Sequence, residues 1–249
     1  MIKTIQFIIS SIIFLSPPAG NTEEPGAVIE KAWANWQGVK DYTCIFIKQE
    51  RVNGELLPEQ TVFMKLREKP FSVYMKWIGK NSRGQEALYV AGINDGKVKV
   101  HQGGLLGIIN LNLDPEGKMA MKDNRHPITD AGIGYTTRLI WEDLARARKK
   151  NEGEITFLEQ KAGGGTEFRY LRIALPPEKV KPGLKKTSPE QYYAAGAEIC
   201  LDAAGLILSS ITIYDSNGEL LEKYRYREIK LNVGLTDRDF DPDNDEYGF

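Results

Sequence analysis

The strongest constraint in this sequence is an alternation of apolar and polar residues with a period of two in the first half of the chain. The segments "YTCIFIKQE" (42–50), "QTVFMKLRE" (60–68) and "FSVYMKWI" (71–78) are rich in β-branched and aromatic residues, and turn-forming stretches separate them. Side chains of a strand point alternately to its two faces, so each segment has one apolar and one polar face. Such sheets are typically antiparallel. The sequence therefore predicts a β-meander, which "QEALYVAG" (85–92) and "GKVKVHQ" (96–102) continue through an "INDG" hairpin turn.

Two stretches have the period of an amphipathic helix instead. The first follows Pro25 and carries an apolar stripe, and the second spans 135–150 and ends in basic residues, which a helix C-terminus favours. The first stripe consists of Val28, Ile29, Ala32, Trp33 and Trp36, and the second of Leu139, Ile140, Leu144 and Ala147.

Strand-like segments resume after the second helix, and they end with "ELLEKYRYREIKLN". Together these patterns predict a mostly antiparallel α+β protein of about ten strands and two helices. The glycine-broken segment "HQGGLLGIINLNLDPEG" (101–117) fits either a buried strand or an apolar lip beside a cavity.

The first twenty residues predict export. One lysine precedes an uncharged apolar run, and two prolines with small residues follow it. This is typical of a secretory signal peptide, which we expect at residues 1–20, with 21–249 forming a single domain. The run is shorter than the roughly 20 residues of a membrane-spanning helix, and we expect no transmembrane segment in the mature chain. The net charge of −1 at pH 7 gives no attraction for nucleic acid.

The chain has two cysteines, Cys44 and Cys200. In an exported protein they can pair in a disulfide. The alternative is two separate buried thiols that pack as small apolar side chains. Both cysteines lie in predicted strands whose separation the sequence does not give, so both alternatives stay open.

His126, one of two histidines, lies in the polar stretch "KDNRHPITDAGIG". With Asp123 or Asp130 as its partner it would suit a hydrolase that uses a general base. A turn at Pro127 before the second helix is the preferred interpretation, because no serine stands in a G-x-S-x-G motif and no second histidine is near. We therefore expect no catalytic residue, no metal site and no cofactor.

The C-terminal stretch "DRDFDPDNDEYGF" has an aspartate at every second position from 237 to 245. It lacks the glycine at the sixth position and the glutamate at the twelfth that an EF-hand calcium loop uses. We expect a solvated acidic tail.

Several motifs together resemble an uncharacterised family of exported bacterial proteins. They are "YTCIFIKQERVNGEL", "PFSVYMKWI", "GQEALYVAG", "NRHPITDAGIG" and "DFDPDNDEYGF", and the resemblance covers most of residues 30–249. In its order of elements this family is similar to the periplasmic outer-membrane lipoprotein carriers of the LolA/LolB type. The resemblance implies a half-open, unclosed β-barrel with an N-terminal helix and a second helix packed across it.

The same resemblance implies a carrier in the periplasm of a Gram-negative-type bacterium, which holds acyl chains of a lipid or lipoprotein against the concave face of the barrel. The first alternative is an envelope interaction protein with a filled barrel and a protein partner, and a hydrolase using His126 is the third choice. The candidate ligand-binding residues are Phe46, Val62, Met64, Leu66, Val73, Met75 and Trp77. The polar residues Lys48, Glu50, Arg125 and His126 form the candidate partner surface.

Overall fold

The computed structural model describes residues 23–80, 82–103, 109–158, 167–180 and 190–249. The predicted signal peptide lies outside these residues, and so does the centre of the glycine-broken segment.

Two α-helices and twelve strands are found in the described part of the chain. The helices are α1 (Pro25–Trp36) and α2 (Ile133–Lys149). The strands are β1 (Asp41–Val52), β2 (Glu55–Leu56), β3 (Gln60–Arg67), β4 (Ser72–Trp77), β5 (Glu86–Val90), β6 (Val98–His101), β7 (Asn110–Leu113), β8 (Glu154–Phe157), β9 (Phe168–Ala174), β10 (Gly196–Asp202), β11 (Leu208–Tyr214) and β12 (Leu220–Leu231).

The strands form one antiparallel sheet in the order β7-β6-β5-β4-β3-β1-β12-β11-β10-β9-β8, and β2 pairs only with β1. The sheet is not closed, because β7 and β8 lie at its two edges. The predicted fold class, a mostly antiparallel α+β half-open barrel, is confirmed. The meander from β1 through β3 to β6 follows the chain as predicted, and β7 extends it. On its other side β1 pairs with β12, near the other end of the chain.

The helices pack against one another and against one part of the sheet's inner face. Val28, Ile29 and Ala32 of α1 are buried, and its Trp33 stacks on Trp141 of α2 with ring centroids 5.7 Å apart. The hydrophobic core beneath the helices includes Tyr42, Met64, Leu66 and Val73, which are at most 1% exposed.

Gly132, directly before α2, allows a close approach between the helix start and the sheet. Its φ is 108°, and an added Cβ would lie 2.6 Å from Leu66 Cδ1 and 2.7 Å from Tyr42 Oη. The Tyr42 hydroxyl meanwhile accepts a hydrogen bond from the Ile133 amide at 2.9 Å. Glycine is therefore required both by its backbone conformation and by the space available.

We expect Gly132→Ala to destabilise the protein by roughly 1 to 3 kcal/mol beyond the cost of its positive φ, because the new methyl group overpacks the core. Gly92→Ala is the matched control, since Gly92 also has a positive φ but has no atom within 4 Å of an added Cβ. Urea unfolding of both variants checks this. Equal losses would contradict the close packing.

The two cysteines are separate, buried and free. Cys44 faces the core from β1, whereas Cys200 on β10 alternates with the core residues Ile199 and Leu201 and so faces the opposite side of the sheet. Strands β12 and β11 also lie between β1 and β10. Of the two alternatives, the structure therefore contradicts the disulfide, because opposite faces of the sheet and two intervening strands keep the thiols apart.

Thiol titration under denaturing, non-reducing conditions should find two thiols per chain. In the native protein Cys44 should react very slowly, because burial raises its pKa to about 12 and leaves almost no thiolate. A titre below two, restored by reductant, would contradict this placement.

The C-terminal segment 235–249 packs on the outer face of the sheet, so the expectation of a solvated tail is wrong for this segment as a whole. Its Phe240 is buried, and Tyr247 stacks on Tyr74 of β4 with ring centroids 3.9 Å apart. Some of its aspartates are solvated as expected, for example Asp245, whose side chain is 97% exposed. Apolar rings between the acidic residues thus fix the segment.

Candidate functional site

A cavity of about 470 Å³ lies on the inner face of the sheet beside α2. Four of the predicted ligand-binding residues line it, namely Phe46, Val62, Met75 and Trp77. The other three, Met64, Leu66 and Val73, are not among its lining residues and lie in the close-packed core. The inner face is therefore divided into a filled part and an open part.

Apolar side chains from both halves of the sheet and from α2 form most of the cavity wall. Beyond the predicted residues, these include Val98, Val100, Leu113, Ile128, Leu139, Ile140, Ile173, Leu175, Ile211 and Ile213. Leu113 belongs to β7, so the glycine-broken segment contributes a strand that also borders the cavity. Leu139, Ile140 and the buried Leu144 of the α2 stripe line this open part, while Ala147 is buried and does not line it.

The predicted polar residues Lys48, Glu50, Arg125 and His126 come together at one end of the cavity. Lys48 Nζ donates a hydrogen bond to Glu50 Oε2 at 3.2 Å, and the Arg125 backbone N–H donates to the same oxygen at 3.1 Å. The other Glu50 oxygen accepts a hydrogen bond from the Tyr224 hydroxyl at 2.6 Å. Both lone-pair-bearing oxygens of this buried carboxylate are therefore satisfied.

Glu222 on β12 is the centre of this polar cluster, and sequence reasoning missed it. Its Oε1 lies 2.7 Å from Arg125 Nε and 3.0 Å from His126 Nε2, and it also accepts a hydrogen bond from the Tyr193 hydroxyl. Arg125 in turn donates to the Arg51 carbonyl oxygen at 2.7 Å. The available signal was the spacing of two residues between Glu222, Tyr224 and Tyr226, which places the glutamate on the same inner face as the two tyrosines.

Burial and charge act in opposite directions on these groups. Burial disfavours the ionised form of Glu222, but the neighbouring His126, Tyr193 and Arg125 outweigh it and lower its pKa to about 2. Burial likewise opposes a charged His126, but Glu222, Glu50 and Asp130 outweigh it and raise its pKa. The pair is therefore held in its charged form.

The aspartates expected to orient His126 do not do so. Asp123 is exposed at the cavity border, and Asp130 accepts a hydrogen bond from the Tyr135 hydroxyl at 3.1 Å. The hydrogen-bond partner of the ring is Glu222, about a hundred residues further along the chain. Asp130 contributes only its charge to the raised pKa of His126.

Glu222→Gln should lower the free energy of unfolding by roughly 3 to 5 kcal/mol, because it removes the buried carboxylate that balances the partly buried Arg125 and His126. Urea melts at neutral pH measure this. A loss below about 1 kcal/mol would mean that the cluster is solvated in solution.

The contribution of His126 should depend on pH. The raised pKa of His126 contributes its full stabilisation of the folded state below pH 6.5, the ordinary histidine value. This contribution is lost as the pH rises through the pKa of the folded state. The lowered pKa of Glu222 stabilises fully above its ordinary value of 4.5 and is lost as the pH falls towards about 2. The stability difference between wild type and His126→Gln should therefore be greatest between these two ordinary values.

The Glu222→Gln background supplies the control for this profile. There His126→Gln should show a much smaller maximum, because only the charges of Glu50 and Asp130 remain to raise the pKa of His126. Urea melts across the pH range measure both series. A maximum of undiminished height without the Glu222 carboxylate would contradict the assigned ion pair.

The family described as "Protein of unknown function (DUF1571)" matches residues 39–249. The resemblance to a family of unknown function, predicted from the quoted motifs, is thereby confirmed. No curated protein matches the sequence.

Solved structures that align with most of this chain include LppX, a LolA superfamily protein and the MucA/MucB complex. The lipoprotein LppX of Mycobacterium tuberculosis has a TM-score of 0.50 at 11% identity, with coverage of 85% of this chain and 96% of that chain. A LolA superfamily protein from Nitrosomonas europaea has a TM-score of 0.32 at 10% identity, with coverage of 88% and 98%. The Pseudomonas aeruginosa MucA/MucB complex gives 0.44 at 11%, with coverage of 88% of this chain and 61% of that chain. The likeness to LppX shows the fold alone.

None of the helices in the described ranges has the length and apolar character needed to cross a bilayer.

Proposed function

We propose that this chain, which belongs to the DUF1571 family, binds the acyl chain of a lipid or lipoprotein non-covalently in its cavity and acts as a carrier. The observation that carries this proposal is the open part of the inner face, where Phe46, Val62, Met75 and Trp77 line the cavity. Methionine and aromatic side chains suit a deformable apolar site. The volume of about 470 Å³ also falls within the roughly 300 to 1,000 Å³ of small-molecule sites.

We further propose that the chain is exported, with residues 1–20 as a signal peptide and 21–249 as one carrier domain in the periplasm. The apolar run and the prolines at the start of the sequence support this. The fold likeness to the lipoprotein LppX is consistent with an envelope protein.

The burial of the polar cluster favours the carrier over the envelope interaction protein with a filled barrel. That alternative needs Lys48, Glu50, Arg125 and His126 on an outer surface, where a protein partner could reach them. The side chains of Lys48 and Glu50 are instead only 10% and 6% exposed, and both border the cavity. An interaction surface, if present, would have to use other residues.

The hydrolase alternative depends on His126, which borders the cavity and contacts the carboxylate of Glu222. A general base must be neutral to accept a proton, whereas the raised pKa of His126 favours the protonated ring. The Glu222 oxygen that contacts the ring is also shared with Arg125 and Tyr193. The geometry therefore favours a positioning role for His126 over catalysis.

Two methionines that face each other across β3 and β4 provide a matched test of the cavity. Met75 borders the cavity, while its cross-strand partner Met64 is fully buried in the core. Met64→Trp should overpack the core and cost roughly 1 to 3 kcal/mol. Met75→Trp should fold with nearly wild-type stability but fill the cavity and weaken the binding of a fluorescent fatty-acyl probe.

Urea melts and probe titrations of both variants, with mass spectrometry of lipid that co-purifies with the wild type, complete the test. Bound acyl species and selective loss of probe binding in Met75→Trp would support the carrier. Equal destabilisation by both substitutions, without probe binding by the wild type, would contradict it and favour a filled barrel.

A further inference from the structure

The buried basic side chains at the polar end of the cavity already have partners of opposite charge within the described residues. Lys48 is paired with Glu50, and both Arg125 and His126 are paired with Glu222. A carboxylate or phosphate brought into this end would lose its hydration and would have to compete with Glu50 or Glu222 for these cations. Burying an uncompensated charge is strongly unfavourable.

The charged residues that border the cavity also carry no excess of positive charge, even when the arginines paired with them are counted, Arg125 with Glu222 and Arg146 with Asp143. The basic residues are Lys48, Lys122 and His126, and the acidic ones are Glu50, Asp123, Asp130, Asp143 and Glu222. Of the basic residues, only Lys122 is exposed at the border, and the exposed Asp123 follows it directly in the chain. The described lining therefore has no net positive charge to attract an anionic group.

Uncharged polar groups lie beside the charged cluster. Gln60 begins β3, Gln85 directly precedes β5 and Gln102 directly follows β6. The antiparallel order therefore brings all three to the same end of their strands, here called the glutamine edge. All three border the cavity, and Gln60 pairs across the sheet with Lys48. The Gln60 Oε1 also accepts a hydrogen bond from Trp77 Nε1 at 2.9 Å. Amides of this kind donate and accept hydrogen bonds without carrying charge.

We infer that the cavity selects amphiphiles whose polar end is uncharged, such as an acylglycerol or an acyl amide, over those that carry a carboxylate or a phosphate. The inference rests on the proposed function, because it assumes that the apolar part of the cavity takes the acyl chain. The glutamine edge then receives ester, amide or hydroxyl groups, and the basic side chains, whose charges are already compensated within the protein, disfavour anionic ones.

Competition against an uncharged solvatochromic dye tests this selectivity on the purified protein. The competitors are monopalmitoylglycerol, palmitate and palmitoyl lysophosphatidate, which share one acyl chain and differ in the polar end. They are used at pH 8 below their aggregation concentrations. We expect monopalmitoylglycerol to bind at least about tenfold more tightly than either anion, a difference in dissociation constant that titration resolves readily.

The variant Gln102→Lys adds an uncompensated cation to the glutamine edge. It should increase the affinity for palmitate and lysophosphatidate several-fold and leave that for monopalmitoylglycerol nearly unchanged. Asn217→Lys is the matched control, because it adds the same charge in the exposed turn before β12, outside the cavity lining. It should change none of the three affinities.

Palmitate or lysophosphatidate binding as tightly as monopalmitoylglycerol would overturn the inference while leaving the carrier proposal intact. Anion affinities that Gln102→Lys leaves unchanged would also overturn it, because the polar end would then lie elsewhere. Failure of all three competitors and of the dye to bind would instead overturn the carrier proposal, and the inference with it.

Discussion

Two buried carboxylates, Glu50 and Glu222, lie directly opposite each other on the central strand pair β1 and β12. The polar end of the cavity depends on how their charge is balanced. Like charges at directly opposed positions destabilise a sheet. Lys48 balances one from its own strand, and Arg125 and His126 approach from the segment that leads into α2. Arg125 contacts both carboxylates, one through its backbone N–H and one through its side chain. The charge balance thus positions the segment that precedes α2.

The position of that segment explains why the inner face is only partly filled. After Arg125 and His126 are fixed over β1 and β12, Gly132 brings the start of α2 into contact with Tyr42 and Leu66. Helix packing therefore fills the inner face around Met64 and leaves the neighbouring region around Met75 and Trp77 open. The cavity follows from the arrangement of close-packed elements around it, and its polar end follows from the same buried charges.

The sequence predicted much of this architecture, because alternation and helical periodicity are local signals. Both helices and the meander follow from the period of the pattern. Met64 and Met75 share a face and a cross-strand pair, so no local pattern could tell which one borders the cavity. That distinction depends on where α2 lies.

The residues that sequence reasoning missed have contacts far away in the chain. Glu222 joins Arg125 and His126 only because β12 pairs with β1, a pairing that local periodicity does not specify. Tyr193 joins them from the segment before β10. The separation of Cys44 and Cys200 likewise depends on the strand order, which places β12 and β11 between their strands. The C-terminal segment was misjudged because its aspartates were considered without the aromatic residues between them.

The central claim is that the inner face has a filled part and an open part that takes an acyl chain. Intermolecular nuclear Overhauser effects between an added acyl ligand and ¹³C-labelled methionine methyl groups test it most directly. The account predicts contacts from the acyl methylenes to the Met75 methyl group and none to that of Met64. Contacts to both methyl groups, or to neither while the ligand is bound, would contradict this division of the sheet.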